Sequence, residues 1–141
     1  NFQRTDIGEP MNIPEKEKLD LIVKKLAEIL RIQDWDITIK LISAYEMGNK
    51  YNDYTCEGVA DRNIRLNTAE ISLNRDNCSD WYEVLVHGLL HIQSTGIISC
   101  AEAYFQEHHT YFSDIYENLT EKQAQIFCKL YPLSNFDNLM G

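Results

Sequence analysis

Several markers of membrane and nucleic-acid proteins are missing from this sequence. No apolar run approaches the roughly 20 residues that span a bilayer, and the N-terminus lacks the basic and then apolar pattern of a signal peptide. Lys and Arg are not clustered, and the formal charge of -9 argues against a surface that binds nucleic acid or an anionic membrane. We therefore expect a cytoplasmic chain with neither kind of partner.

Glycine, proline and cysteine are also scarce. With 6 Gly, 3 Pro and no low-complexity tract, the chain is expected to be ordered, and 141 residues suit one domain. The four cysteines form no C-x-x-C pair, which favours reduced thiols over a redox or structural-zinc motif. We expect the domain to span residues 11–132. Residues 1–10 then form an added or loose segment, and residues 133–141 form a C-terminal tail.

The first half of the chain alternates between helical and strand patterns. Apolar residues at three- and four-residue spacing predict an amphipathic helix from Pro14 to about Arg31. Residues 35–42 alternate apolar with polar positions, as a strand does. A polar, turn-rich stretch follows at 47–54, and two more short strands are expected, one from the apolar residues of 58–66 and one at 69–73.

A long helix is predicted next. Asp80 followed by Glu83 forms a capping box that begins a helix at Trp81, and Gly96 predicts its end. Residues 101–131 are rich in helix formers, with a break expected at 108–113. The predicted fold class is therefore α+β: an N-terminal helix, a small, mostly antiparallel sheet of three to four strands, a metal-binding helix, and one or more C-terminal helices.

Two histidines lie four residues apart on this apolar helix. Residues 81–92 are almost wholly apolar apart from Glu83, His87 and His91, so the helix is expected to be buried with both imidazoles on one side. Buried imidazoles lose hydrogen bonds to water, and a shared zinc ion would replace them. The alternative is a pair of hydrogen-bonded core histidines, which is less favourable because each ring would oppose protonation of the other.

The segment around these histidines resembles a known family. Residues 84–92, VLVHGLLHI, are similar to the active-site helix of HExxH metallopeptidases, and in particular of small phage-type members with a minimal gluzincin-like core. The resemblance covers residues 14–131, although only the histidine helix is specific. It implies one zinc ion held by His87 and His91, peptide hydrolysis by zinc-activated water, and a phage-encoded protein in the host cytoplasm.

The sequence departs from this family at the catalytic position. Gly88 stands where the family has the Glu that takes a proton from water, and glycine costs about 1 kcal/mol relative to alanine within a helix. The explanations are an introduced substitution, natural loss of catalysis in a metal-binding descendant, or a base supplied from elsewhere. Glu83 is the nearest acid, but its place in the capping box explains it better. Whether the chain is an enzyme is therefore left open.

A third metal ligand is expected from the C-terminal helices, because catalytic zinc usually has three protein ligands. Residues 116–124 are similar to the Y-E-x-x-x-E-x-x-A helix of the phage-type relatives. This resemblance makes Glu117 the first choice and Glu121, one helical turn later, the second.

The SprT-like metalloproteases suggest a different third ligand. In that family a His is followed four residues later by Phe, as His108 is followed by Phe112, but the family has Gly where this chain has His109. His108 and His109 are thus alternative ligands to the two glutamates. The remaining possibilities are a carboxylate from Asp114 or Glu102, or a site with no third protein ligand.

The family resemblance also implies a partner. In HExxH enzymes an edge strand holds an extended peptide by backbone pairing, and here that strand would lie between Val59 and Asn74. The expected partner is accordingly a peptide or protein substrate. If catalysis has been lost, the chain is instead a non-catalytic pseudo-peptidase that engages a protein partner.

Overall fold

The protein has the predicted α+β class. The computed structural model describes residues 12–104 and 109–140, without the side chains of 100, 102–104, 109–112 and 140. Within these residues the chain forms, in order, α1 (Lys16–Ile29), β1 (Asp36–Ile42), α2 (Ala44–Tyr51), β2 (Gly58–Asn63), β3 (Thr68–Asn74), α3 (Trp81–Tyr104), α4 (His109–Leu130), a 3₁₀ helix (Leu133–Phe136) and α5 (Asp137–Met140).

The sheet of the described residues has three strands in the order β1-β3-β2. β2 and β3 pair antiparallel, with Gly58 opposite Leu73, as expected for neighbouring strands joined by a short turn. β1 pairs with β3 in parallel, with Asp36 opposite Thr68, so the sheet is mixed and not mostly antiparallel as the sequence predicts. β1 and β2 are therefore the two edge strands, and β3 lies between them.

The first half of α3 forms the centre of the core. Every residue from Trp81 to Ile92 is buried, in agreement with the apolar pattern of this segment. The helix packs with the inner face of α1 and with β3, whose Ile71 and Leu73 belong to the same core. The histidines of α3 are therefore carried by the most enclosed helix among the described residues.

Two segments of the first half differ from the sequence prediction. The pattern of 47–54 predicts turns, but the helix α2 occupies most of this stretch. Ser43 accepts a hydrogen bond from the Glu46 N–H at 3.1 Å and caps this helix, and Met47 is fully buried. Eight residues containing glycine and asparagine are too few for a clear periodic pattern, and hence the sequence does not predict the helix.

The apolar residues at 64–66 are the second difference. Their pattern predicts a strand, but they form the exposed turn between β2 and β3. Asn63 Oδ1 accepts the N–H groups of Arg65 and Leu66, at 3.1 and 3.3 Å, and Asn67 has a positive φ of 51°. These asparagines close the turn, because an Asn side chain can bond its own backbone and tolerates the left-handed region.

The helical boundaries of the second half also differ. α3 continues past Gly96 to Tyr104, so the prediction that Gly96 ends the helix is wrong. α4 begins at His109 and continues through 113, so the expected break does not lie within 109–113. Of the residues predicted to be a tail, 133–140 form the 3₁₀ helix and α5, and Phe136 is buried in the main core beside Tyr82.

The continuity of α3 at Gly96 can be tested by Gly96→Ala. No described glycine has a positive φ, and a Cβ at Gly96 would meet Ile64 at an ordinary 3.5 Å. We expect alanine to increase the free energy of unfolding by about 0.5–1 kcal/mol in urea denaturation, because it removes backbone entropy from the unfolded chain. A decrease of similar size would instead indicate a left-handed helix end at this position.

Candidate metal centre

The candidate site lies between α3 and α4, which run antiparallel. Tyr82 near the start of α3 donates a hydrogen bond to the carbonyl of Tyr131, just after α4, at 2.7 Å. Further along, His87 faces Glu121. Ala124 and Thr120 are buried on the inner face of α4, and their small side chains suit the close approach of the two helices.

Three potential ligands meet in this interface. His87 and His91 are buried, at 1% and 7% exposure, and Glu117 reaches them from α4. The two Nε2 atoms lie 3.1 Å apart. Glu117 Oε1 is 2.7 Å from Nε2 of His87, and Oε2 is 3.3 Å from Nε2 of His91. The site is open on the side of Glu117, whose side chain is 37% exposed.

The arrangement fits the ligand set of a metal ion. Bonds of about 2.0–2.2 Å in a tetrahedron place neighbouring ligand atoms about 3.3–3.6 Å apart. His91 Nε2 lies 3.1 Å from His87 Nε2 and 3.4 Å from Glu117 Oε1, which is close to this value. The 2.7 Å between His87 Nε2 and Glu117 Oε1 is instead a hydrogen-bond distance. The three side chains could therefore hold a metal ion after a shift of roughly half an ångström.

Glu121 orients the first histidine. Its Oε2 lies 2.7 Å from Nδ1 of His87, on the opposite edge of the ring from Glu117. When Nδ1–H donates to this carboxylate, the lone pair of Nε2 points into the ligand group. A carboxylate behind a histidine is the usual way in which proteins fix the tautomer of a metal ligand. Glu121, the second choice as a ligand, thus supports His87 in this geometry.

A chain of hydrogen bonds orients the second histidine. His91 Nδ1 lies 2.8 Å from the hydroxyl of Tyr116, which lies 2.6 Å from the hydroxyl of Ser94. Ser94 in turn donates to the carbonyl of Leu90 at 3.0 Å. If Nδ1–H donates to Tyr116 and Tyr116 donates to Ser94, every donor has an acceptor. This order leaves the lone pair of His91 Nε2 directed at the ligand group.

The charges of the group favour a cation at its centre. Burial lowers the pKa of His87, but hydrogen bonds with Glu117 and Glu121 together more than offset it, so the pKa is raised. Burial lowers the pKa of His91 and outweighs its hydrogen bond with Glu117. Burial raises the pKa of Glu117, but the histidine hydrogen bonds hold it well below its usual range. Glu117 and Glu121 therefore flank an imidazole of raised pKa, and a proton or a metal ion between them would offset their negative charge.

Gly88 lies on the side of α3 that faces the sheet. A Cβ at this position would be 3.2 Å from Cδ1 and 3.5 Å from Cγ1 of Ile71 in β3. Because Gly88 is helical and lacks a positive φ, its freedom of backbone conformation is not needed here. Close packing against Ile71 is the physical reason that the structure offers for a glycine at this point.

Among the described side chains, Asp114 and Glu83 do not join the ligand group. Asp114 is exposed on α4. Glu83 is buried in the first turn of α3, where its N–H bonds Asp80 Oδ1 at 3.2 Å, as expected for a capped start. His108 and the side chains of His109 and Glu102 lie outside the described residues.

Tyr116 and Ser94 are parts of the site that the sequence analysis missed. Tyr116 precedes Glu117 in the motif that indicates the third ligand, and Ser94 follows His91 by three residues, so both lie within one helical turn of a predicted ligand. Their short distance in sequence from the predicted ligands could therefore have identified both residues as candidates. Their role, however, depends on how α4 is set against α3, which only the tertiary structure shows.

Comparisons of the chain with protein-family models, with curated proteins and with solved structures found no match. The metallopeptidase resemblance therefore depends on the short sequence motifs at 84–92 and 116–124, and it stays a prediction. Among the helices of residues 12–104 and 109–140, none has the length and apolar character needed to cross a bilayer.

Tyr116→Phe tests the support of His91. The change removes one hydroxyl and keeps the ring, so we expect affinity for a divalent metal ion to fall about 10- to 100-fold, the usual effect of losing such a partner. Competition with a chromophoric chelator measures this affinity. Tyr45→Phe, on an exposed tyrosine of α2, is the matched control and should leave it unchanged. Equal affinities of the two variants would contradict the role of Tyr116.

Proposed function

We propose that this chain is a zinc-binding protein with the site architecture of an HExxH metallopeptidase and with impaired hydrolysis, because Gly88 supplies no base. The observation that carries the proposal is the meeting of His87 and His91 with Glu117. A histidine pair on one helix with an acidic ligand from a later helix is the arrangement that the resemblance implies. Peptides or proteins are the proposed substrates, and the host cytoplasm of a phage is the proposed location.

Zinc is the proposed ion because of the donors present. Two imidazole nitrogens and one carboxylate oxygen are the ligands of several catalytic zinc sites, which keep a fourth position open for water or substrate. Sites for calcium and magnesium use oxygen ligands almost exclusively. The exposure of Glu117 leaves the site accessible to a substrate.

In the proposed function, each residue of the site has a separate role. When bound, zinc supplies the Lewis acidity that activates water and polarises a peptide carbonyl. Glu121 and Tyr116 hold the two imidazole rings in the ligating tautomer. No carboxylate extends from Gly88, and Ile71 packs against the position from which a base would begin. The proposal therefore assigns metal binding to these residues. It also predicts that proton transfer from water is much slower here than in an enzyme that has the motif glutamate.

The edge strand β2 is the proposed place for an extended peptide. It is the edge strand that pairs antiparallel with β3, and Arg62 near its end donates to the carbonyl of His91 at 3.4 Å. This contact brings the strand beside the histidine helix. A peptide that pairs with an exposed strand gains backbone hydrogen bonds irrespective of its sequence.

A second candidate function is non-catalytic binding of a protein partner through the same groove. The packing of Ile71 on Gly88 favours it, because this contact fills the space next to the missing base with a buried apolar side chain. Complex formation that survives a chelator would favour this second function over hydrolysis.

Metal analysis tests zinc binding directly. We expect purified protein to hold one zinc ion per chain by elemental analysis. His87→Ala and Glu117→Gln should each reduce this content after dialysis against a mild chelator, because two ligands hold zinc less tightly than three. Asp114→Asn, an exposed acid on the same helix, is the control and should retain full zinc. Full stoichiometry in His87→Ala would disprove the site assignment.

Restoring the base tests the peptidase architecture. Gly88→Glu places a Cβ only 3.2 Å from the Ile71 methyl group, so we expect the double variant Gly88→Glu/Ile71→Val, which removes that methyl, to be the more stable form. The zinc-loaded double variant should cleave a mixture of unfolded proteins at least tenfold faster than the starting chain.

The matched control is Gly88→Gln/Ile71→Val, which has the same shape but no base. Its cleavage rate should remain at the level of the starting chain. If the folded, zinc-loaded glutamate variant is no faster than this control, the peptidase proposal fails and the binding function is favoured.

A further inference from the structure

Arg62 is an exception on the inner face of the sheet, which packs against α3. The strand register places three rows of residues on this face: Ile37, Ala69 and Arg62; Ile39, Ile71 and Ala60; and Leu41, Leu73 and Gly58. All are apolar or glycine except Arg62, so it is the only charged residue on this face of the described strands. Its aliphatic stem can lie along the apolar face while its guanidinium group extends past it.

The guanidinium of Arg62 reaches the histidine helix beside the metal centre. Nη1 donates to the main-chain carbonyl of His91, one of the three potential ligands, at 3.4 Å. Burial is the main reason that the pKa of His91 is lowered, and the nearby charges of His87 and Arg62 lower it further. A positive charge therefore lies beside the ligand group, on the side of the edge strand β2.

The contact with His91 leaves most of the guanidinium group available. The same carbonyl accepts a shorter hydrogen bond, of 2.7 Å, from the hydroxyl of Thr95, and a guanidinium has five N–H donors. Asp61, the adjacent residue of β2, points to the opposite face and accepts a hydrogen bond from Tyr51 at 2.7 Å. Among the described side chains, no carboxylate forms an ion pair with Arg62.

A peptide that pairs with β2 would bring its own side chains to this guanidinium. The peptide residue directly opposite Arg62 shares the inner face with it, and the two Cβ atoms of such a pair lie about 4.5–5.5 Å apart. A carboxylate at that position can accept two N–H groups of one guanidinium, which is a strong and directional pairing. A neutral or basic side chain there gains no such bonds, so the charge of Arg62 would discriminate between peptides.

We propose that Arg62 selects peptides that carry a glutamate or aspartate opposite it on β2, and that the site thus prefers acidic segments. The inference rests on the proposed binding of a peptide along β2. Because Arg62 is exposed, water weakens the pairing, and we expect a preference of about three- to tenfold over a neutral peptide. Arg62 contacts the main chain of His91, which makes it a specificity residue beside the ligand group.

Peptide titrations followed by ¹⁵N NMR test this preference. The probes are seven-residue peptides, blocked at both ends, in which valine and threonine alternate around a central glutamate or glutamine. With one equivalent of zinc, the starting chain should bind the glutamate peptide about three- to tenfold more tightly, whereas Arg62→Gln should bind both peptides equally. Arg65→Gln, in the exposed turn between β2 and β3, is the matched control and should keep the preference. Circular dichroism establishes that each variant is folded.

Three results would overturn the role of Arg62 and leave the proposed function standing. They are equal binding of both peptides to the starting chain, an equal loss of affinity for both in Arg62→Gln, which is the effect of a merely structural residue, and equally tight binding of a glutamine peptide with a free C-terminus, which would assign the guanidinium to chain ends.

A different result would identify a failure of the proposed function itself. If neither peptide binds at about 5 mM, the place of the peptide on β2 is wrong, and the role of Arg62 is overturned with it. The zinc content of the protein is measured separately and does not depend on this result.

Discussion

Burying two imidazole rings on the central helix is the constraint around which this site is organised. His87 and His91 occupy the most enclosed part of α3, where water cannot satisfy their nitrogens. All four ring nitrogens have close polar neighbours: the two Nδ1 atoms face Glu121 and Tyr116, and the two Nε2 atoms face each other and Glu117. The packing of α4 against α3 therefore supplies the polar partners that the buried histidine rings require.

The electrostatics of the group follow from the same burial. Two carboxylates on α4 flank one imidazole of raised pKa, an arrangement that concentrates negative charge at a partly open position. A buried group of this kind is costly unless a cation or a proton occupies its centre. Metal binding would satisfy this requirement with the donors already present, and would link α3 to α4 more firmly than hydrogen bonds alone.

Much of the fold could be predicted from the sequence, because its longer elements have clear periodicity. The helix α1, the strand β1 and the buried start of α3 are all indicated by apolar spacing. The short helix α2 is not, because its N-cap at Ser43 and one buried methionine are weak signals in eight residues. The extent of α3 past Gly96 could not be predicted either, because a helical glycine and a helix-ending glycine look alike in sequence.

The site, like the fold, could be predicted from the sequence only in part. The histidine pair and the first-choice acid could be chosen from spacing and resemblance, and these are the residues that the structure brings together. The parts played by Glu121, Tyr116 and Ser94 depend on the setting of one helix against another, which no local pattern encodes. The contact of Ile71 with Gly88 joins residues 17 positions apart, and it supplies a packing reason for a glycine that the motif alone left unexplained.

The central claim, a zinc ion held between α3 and α4, is tested most directly by anomalous diffraction at the zinc absorption edge from crystals of the purified protein. The account predicts one peak at about 2.0–2.2 Å from Nε2 of His87, Nε2 of His91 and a carboxylate oxygen of Glu117. A map with no peak at this position, or with zinc held by other side chains, would contradict it.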